Sequence, residues 1–322
     1  MSDKIIDRAV AKLEQEAIIP YRSLQPRLCV IHKTTMESGE ESYLKMLQKI
    51  GNKYEAFVDD VVADTPAQVA EGIQMFAAQP STHGIIIISD YGNMNRVLYN
   101  MIPVRLDIDS LSALSLGNLV DNISPIAYRN APCTAVACMK IMEELNGNDS
   151  FDEQSCLVIG RSIRVGRPLT EILTQKNMTV TMAHSKTSKI ALDSYCDYDY
   201  VVSAIGRPNY WNGSTDRKFY IPSYGKFNII DVGMNVDEEG NLCGDVDREW
   251  IENNGNNQIY ITPVMGGVGR MTTTVLFSKL FNNAAEFFKN SAGFYQEPPQ
   301  RILPPQEELV QLPQIQNEVP SA

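Results

Sequence analysis

Apolar and polar positions along the chain fall into alternating blocks that predict strands and helices in turn. Leu28 to Ile31 is a short apolar run, followed by a helical pattern from about Glu41 to Lys53. Phe57 to Val61 reads as a strand and Pro66 to Ala78 as a helix. Gly84 to Ile88 is an unbroken apolar run (GIIII), the pattern of a strand buried on both faces of a parallel sheet. This alternation predicts an α/β domain. Asp107 to Asn130 is rich in Ser, Asn and Asp and predicts loops and short helices at a domain junction.

A second series starts near Pro132. A helix over Thr134 to Leu145 and a loop, Asn146 to Gln154, lead to a strand at Leu157 to Ile159. Further strands are predicted at Tyr200 to Ile205, Asn228 to Val232 and Tyr260 to Val264. These run into Gly206, into Gly233, and into Gly266, Gly267 and Gly269. Glycines at the carboxyl ends of strands mark the edge where open α/β sheets bind ligands. A helix from Thr272 to Lys289 follows and is placed to reach back to the first domain. Beyond Ser291 the chain turns to Pro, Gln and Glu, a composition that predicts a disordered tail. The opening MSDKIIDRAVAKLEQEA is an amphipathic helix with no signal-peptide core.

Composition narrows the function. The chain has 322 residues, room for two domains, with 43% hydrophobic and 21% charged residues. A net charge of −11 argues against a general nucleic-acid role. No apolar run reaches the ~18–20 residues that span a bilayer. The six cysteines form no C-x-x-C pair, and the three histidines have no paired spacing, so neither a disulfide framework nor a zinc site is expected. Cys29 and Cys156 sit in strand-like runs. Buried free thiols of this kind point to a reducing, cytoplasmic setting.

The most informative stretch is 157–187, LVIGRSIRVGRPLTEILTQKNMTVTMAHSKT. It reads as strand, glycine turn, helix and strand, the opening unit of a dinucleotide-binding domain. The helix opens near Pro168 and carries Leu169, Ile172 and Leu173 at helical spacing. The turn departs from G-x-G-x-x-G, because five residues separate Gly160 from Gly166. An NAD enzyme usually places a carboxylate at the end of the second strand. Here His184, Ser185 and Lys186 stand there, and no acid occurs between Glu171 and Asp193. With Arg161 and Arg164 in the first turn, the pattern favours NADP over NAD.

Taken together, KIID at Lys4 to Asp7, PCT at Pro132 to Thr134, GRSIRVGRP, MAHSKT, IIDVGMN, GDVD and ITPVMGGVGRMT resemble the bifunctional methylenetetrahydrofolate dehydrogenase/methenyltetrahydrofolate cyclohydrolase family. The resemblance covers roughly Lys4 to Lys289. It implies two α/β domains with a cleft between them, the second a Rossmann-like NADP-binding domain. The implied division is a substrate domain over 1–131 and a cofactor domain over 132–270. A C-terminal helix, 271–290, would pack back on the first domain, with the tail over 291–322. Gly160, Arg161 and Ser162 are expected at the cofactor phosphates and Ser185 at the 2′-phosphate. Met234 is expected to touch the cofactor through its backbone. Tyr43 and Asp109 are expected at the folate, and the family typically forms homodimers.

The first domain departs from the family pattern. The family's Y-x-x-x-K would put a lysine one helical turn after Tyr43, where Leu47 stands. Lys45 and Lys49 are each displaced by two residues, about 200° around a helix. The family's Q-L-P is replaced by Ile88, Ser89 and Asp90, and Met265 and Arg270 replace two prolines in the last glycine loop. Asp107-Ile108-Asp109-Ser110 keeps the acidic motif. Arg270 is either a surface residue or a ligand for an anionic group, and Asp109 either meets the folate or caps a helix. The expectation is a dehydrogenase whose cyclohydrolase activity is weak or lost. The alternatives are an NADP-binding homologue acting on a different substrate, and a non-catalytic member of the family.

Overall fold

The computed structural model describes residues 3–121, 128–187, 198–212, 227–254 and 259–291. Residues 1–286 form one compact unit and 287–322 a second, of which the described part is the last stretch of a helix ending at Ser291. The expected tail lies outside the described residues.

The first half opens with α1 (Lys4–Leu13), whose free N–H groups at Ile5 and Ile6 donate to the Asp3 carboxylate. It then alternates β1 (Arg27–His32), α2 (Ser38–Tyr54), β2 (Phe57–Val62), α3 (Pro66–Ala77) and β3 (Thr82–Ile87). The three strands form a parallel sheet in the order β2-β1-β3. Central β1 buries Leu28 to Ile31 completely. β3 lies at the edge of this ladder yet is buried, because its flank is covered. Ile85 bridges to Asp107, and a Cβ on Gly84 would fall 2.6 Å from Ile108 and 3.0 Å from Leu280. Two short helices follow, α4 (Asn95–Met101) and α5 (Ala113–Val120).

The second half begins with α6 (Cys133–Asn146), which is apolar on most of its surface and buries residues from Cys133 to Met142. Then come β4 (Ser155–Ile159), α7 (Gly166–Gln175), β5 (Thr179–Ala183), β6 (Tyr200–Ser203) and β7 (Phe227–Asp231). After them the short β8 (Asn235–Val236) and β9 (Leu242–Cys243) pair as an antiparallel ribbon. α8 (Arg248–Asn254), β10 (Ile259–Ile261) and α9 (Val268–Ser291) complete the described chain. The larger sheet is parallel throughout, in the order β10-β7-β6-β4-β5. The chain reverses direction across the sheet beside β4, so the crevice between the carboxyl ends of β4 and β6 is its switch point.

Strands β6, β7 and β10 stop one to three residues earlier than their apolar runs. The residues after β6 turn to donate their backbone N–H groups to a side chain: Ile205, Gly206 and Arg207 all bond Asp245. One face of each sheet joins a shared core, and the other face of each is buried in a cluster of its own. Val30 and Ile86 of the first sheet and Val158 and Val202 of the second belong to a continuous buried cluster, with α6 and α9 between them in that cluster. Tyr54 of α2 meets Phe277 and Phe281 of α9 edge-on, with ring centroids 5.6 and 6.5 Å apart. Among the described residues no helix is long and apolar enough to cross a membrane.

Candidate active site

The glycine turn after β4 is forced by close backbone approach. Gly160 has φ +132°, and a Cβ there would lie 2.4 Å from the Ala204 carbonyl oxygen. A Cβ on Gly166 would lie 2.0 Å from the Gly160 carbonyl oxygen, so only glycine lets the turn close. Ser162 locks it: its Oγ accepts from Val165 N and its carbonyl from Arg167 N. Arg161 and Ser162 are left exposed in the turn that leads into α7.

Gly160 N also donates to Ala183 O, so this turn and the one after β5 leave the sheet side by side. The second turn, His184 to Thr187, is closed by Thr187 N to His184 O and by His184 N to Thr187 Oγ1. Ser185 and Lys186 stand exposed on it. The residues present therefore fit a phosphorylated dinucleotide: a tight glycine turn, a helix start, and a hydroxyl and a cation with no carboxylate in the β5 turn.

A cleft of about 410 Å³ lies at the carboxyl ends of both sheets. From the first half come Tyr43 and Met46 of α2, Ile86 to Ile88 at the end of β3, and Asp109. From the second come Thr134, Arg164, Val232, Met234, Val268, Gly269 and Thr272. Tyr43, Asp109 and Met234 thus share one cleft, whereas Gly160, Arg161, Ser162 and Ser185 belong to the turns beyond it. Met234 is 60% exposed, and a Cβ on Gly269 would sit 3.0 Å from its Cε. The methionine therefore faces the last glycine loop.

Two acids of the D-x-D-S segment divide the work. Asp107 is buried and structural: it accepts from Leu111 N and Ser112 N and from the Ser115 hydroxyl, and so supports the start of α5. Among the described residues Asp109 caps no helix. Its Oδ2 accepts from Arg164 Nη1 at 3.0 Å. Burial first, then Asp109, push the Tyr43 phenol far above its ordinary range, with Arg164 pulling the other way. Tyr43 is therefore a neutral phenol at any working pH.

Two expectations from the sequence are corrected here, and one alternative left open is decided. Leu47 does not line the cleft; it is fully buried in the shared core, and Met46 lines the cleft beside Tyr43. The 3.6-residue turn carries the fourth residue past the cleft face and into the core. Arg164 does not add to a cationic phosphate pocket, because its guanidinium bonds Asp109 and the Tyr99 hydroxyl in the other half. Of the two readings of Arg270, the surface residue is the one that fits, since it is half-exposed and pairs with Asp7 of α1. Lys45 pairs with Glu41 and is 70% exposed, a solvated surface lysine as expected. The replaced Q-L-P segment has a local role: the Ser89 hydroxyl accepts from Lys33 N and donates to Glu40, and Asp90 accepts from Gly92 N.

The sequence reading missed the clamp behind the glycine loops. Buried Asp245 gathers the N–H groups of residues 205–207, the Ser203 hydroxyl and Asn235. Buried Asp231 gathers those of Gly233, Asp245 and Val246. Both acids stand in motifs quoted from the sequence, IIDVG and GDVD. Nothing in their spacing shows that each binds the backbone of another loop.

The fold and these turns define a two-sheet α/β protein whose second half is built to hold a dinucleotide. Residues 132–288 match the family model described as the NAD(P)-binding domain of tetrahydrofolate dehydrogenase/cyclohydrolase. The bifunctional protein FolD of Streptococcus thermophilus is 34% identical over 226 residues, 69% of this chain and 73% of that protein. That of Methylibium petroleiphilum is 30% identical over 279 residues, 84% of this chain and 91% of the relative. The solved bifunctional 5,10-methylenetetrahydrofolate dehydrogenase/cyclohydrolase from Thermoplasma acidophilum superposes with a TM-score of 0.72 at 28% identity, covering 89% of this chain and 98% of that one. A 5,10-methylenetetrahydrofolate dehydrogenase from the silkworm Bombyx mori gives 0.71 at 25%, covering 89% and 99%. The chain belongs to the tetrahydrofolate dehydrogenase/cyclohydrolase family.

Proposed function

We propose that this chain is an NADP-dependent methylenetetrahydrofolate dehydrogenase whose cyclohydrolase activity is weak or lost. The carrying observation is the cleft lining: among the described residues it holds no lysine, and its proton-bearing side chains are a neutral Tyr43, an ion-paired Asp109 and Arg164, and Thr134 and Thr272. NADP, when bound, supplies the nicotinamide that takes hydride from the methylene carbon. The chain's contribution to that step is placement. Tyr43, Met46 and Ile88 form the substrate wall, and Val232, Met234 and Gly269 the opposite wall. Holding two reactants in register is worth a large rate factor without any proton shuttle. Hydrolysis of the methenyl product is different, because it needs a group to activate water and move a proton. Leu47 is in the core, Ile88 is aliphatic, and Tyr43 is held neutral, so none of them serves as the base.

For the cofactor we assign Gly160, Arg161 and Ser162 to the phosphates, Ser185 with Lys186 to the 2′-phosphate, and Met234 to a backbone contact. What supports NADP over NAD is the carboxylate-free turn after β5. We assign the substrate half to 1–131 and the cofactor half to 132–270, with α9 returning to the first. A cytoplasmic homodimer completes the reading. Free Cys29, Cys133, Cys138 and Cys156, all buried, support a reducing compartment. β5, at the sheet edge with Thr179, Thr181 and Met182 exposed, offers a strand for a second copy.

The test is to supply methylenetetrahydrofolate and NADP and to follow both NADPH and the methenyl product in the near ultraviolet. The expected outcome is NADPH formation with methenyl product accumulating and decaying no faster than in buffer. Decay much faster than buffer would show an active cyclohydrolase and overturn this part of the reading.

A further inference from the structure

The cleft contains one ion pair whose partners come from opposite halves. Arg164 belongs to the glycine turn of the cofactor half, and Asp109 follows β3 of the other. Arg164 Nη1 donates to Asp109 Oδ2 at 3.0 Å, and Nη2 donates to the Tyr99 hydroxyl at 2.7 Å. The guanidinium carbon lies 5.6 Å from the Tyr99 ring centroid, a cation–π contact that adds to the hold on the head group. A guanidinium carries five N–H donors in a rigid plane. Among the described residues two bonds leave most of that fork open, and the arginine side chain, 47% exposed, lines the cleft.

A carboxylate set beside a guanidinium presents acceptors next to donors along one edge. The reduced pterin ring of a tetrahydrofolate presents the complement: an exocyclic amino group and a ring N–H, followed directly by a carbonyl oxygen. Resting on the folate reading above, we infer that Arg164 is a specificity-determining residue for the substrate ring. Asp109 accepts from the amino and ring N–H groups, and Arg164 donates to the adjacent carbonyl oxygen. The glycine turn thereby reads the substrate as well as holding the cofactor. An apolar residue at 164 would leave that carbonyl facing the aliphatic wall of Ile86 to Ile88, and a buried carbonyl without a donor is costly.

The discriminating experiment compares two ligands on the full chain saturated with NADP. One is tetrahydrofolate; the other is its 2,4-diamino counterpart with the same side chain, in which an amino group replaces the carbonyl and the adjacent ring nitrogen loses its proton, a change at Asp109 that is common to all three proteins and cancels when their affinity ratios are compared. Both are titrated by fluorescence against the wild type, Arg164→Met and Arg164→Lys. A charged donor facing a carbonyl attracts it and repels an amino group. Arg164→Met should therefore shift the affinity ratio toward the diamino ligand by about tenfold or more. Arg164→Lys should fall between the two. A merely structural arginine would weaken both ligands alike, and an unchanged ratio would overturn the inference. A wild type that binds neither ring would overturn the folate reading itself and this inference with it.

Discussion

At the scale of single residues, chemistry here is decided by which way each side chain points. Tyr43 and Leu47 sit one turn apart on α2, yet one lines the cleft and the other is fully buried in the core. Leu47→Lys is therefore expected to destabilise the protein rather than create a catalytic amine. It places an unpaired ammonium among apolar side chains and removes a well-packed leucine, a combined loss on the order of 3–5 kcal/mol. Chemical denaturation should show a clearly lowered midpoint, with methenyl product decaying no faster than in the wild type. A stable variant that hydrolyses the methenyl product would mean that α2 can rotate this position into the cleft. Arg164 shows the same rule from the other side. Its place in the glycine turn suggests a phosphate ligand, but its length carries the charge across to Asp109.

At the scale of elements, the carboxyl ends of β6 and β7 are held by two neighbouring buried acids. The Asp231 carboxyl is pushed up to about 6, by burial first and by Asp245 beside it, although three backbone N–H groups pull it down. Its folded value lies above its ordinary 3.8, so the sign is fixed by linkage. The stabilisation tied to its proton is fully present below about pH 4 and is lost as pH rises through about 6. Asp231→Asn removes that titration at the cost of a mismatched amide among backbone donors. The gap in melting temperature between wild type and variant should therefore narrow from pH 4 to pH 7. A gap that stays constant or widens would show that Asp231 remains ionised throughout. The glycine loops show the complementary rule: Gly160 and Gly166 let chains approach within distances that exclude any Cβ.

At the scale of the whole molecule, the facing sides of the two sheets are tied by α6 and α9 into one core, and among the described residues a buried amine marks the junction. Lys279 of α9 donates to the carbonyls of Ile108 and Ala131 and to the Ser110 hydroxyl. These acceptors lie on the segment that leads from the first sheet to α6. Asn283 adds bonds to the carbonyls of His83 and Arg105. Lys279→Met keeps the length of the side chain but strands buried acceptors, and should cost about 3 kcal/mol. The loss should appear as one cooperative transition at lower denaturant, because the core is shared. Two separated transitions would show that each sheet unfolds on its own.

The α/β class, the order of most elements, the glycine turn and the carboxylate-free end of β5 were legible in the sequence. Each depends on local physics: apolar periodicity, the sterics of Gly160 and Gly166, and which residue types follow a strand. The family motifs of the second half were legible for the same reason, since they build turns within a few residues. Tertiary structure decided what depends on long-range approach. It turned Leu47 into the core and brought Met46 to the cleft, gave Asp107 to a helix start and Asp109 to the cleft, and spent Arg270 on Asp7. It also carried Arg164 across to Asp109, residues 55 positions apart in the chain. A side chain's identity fixes what it can bond. Only the packed chain fixes which partner lies within three ångströms, because that distance is set by elements that sequence spacing does not relate.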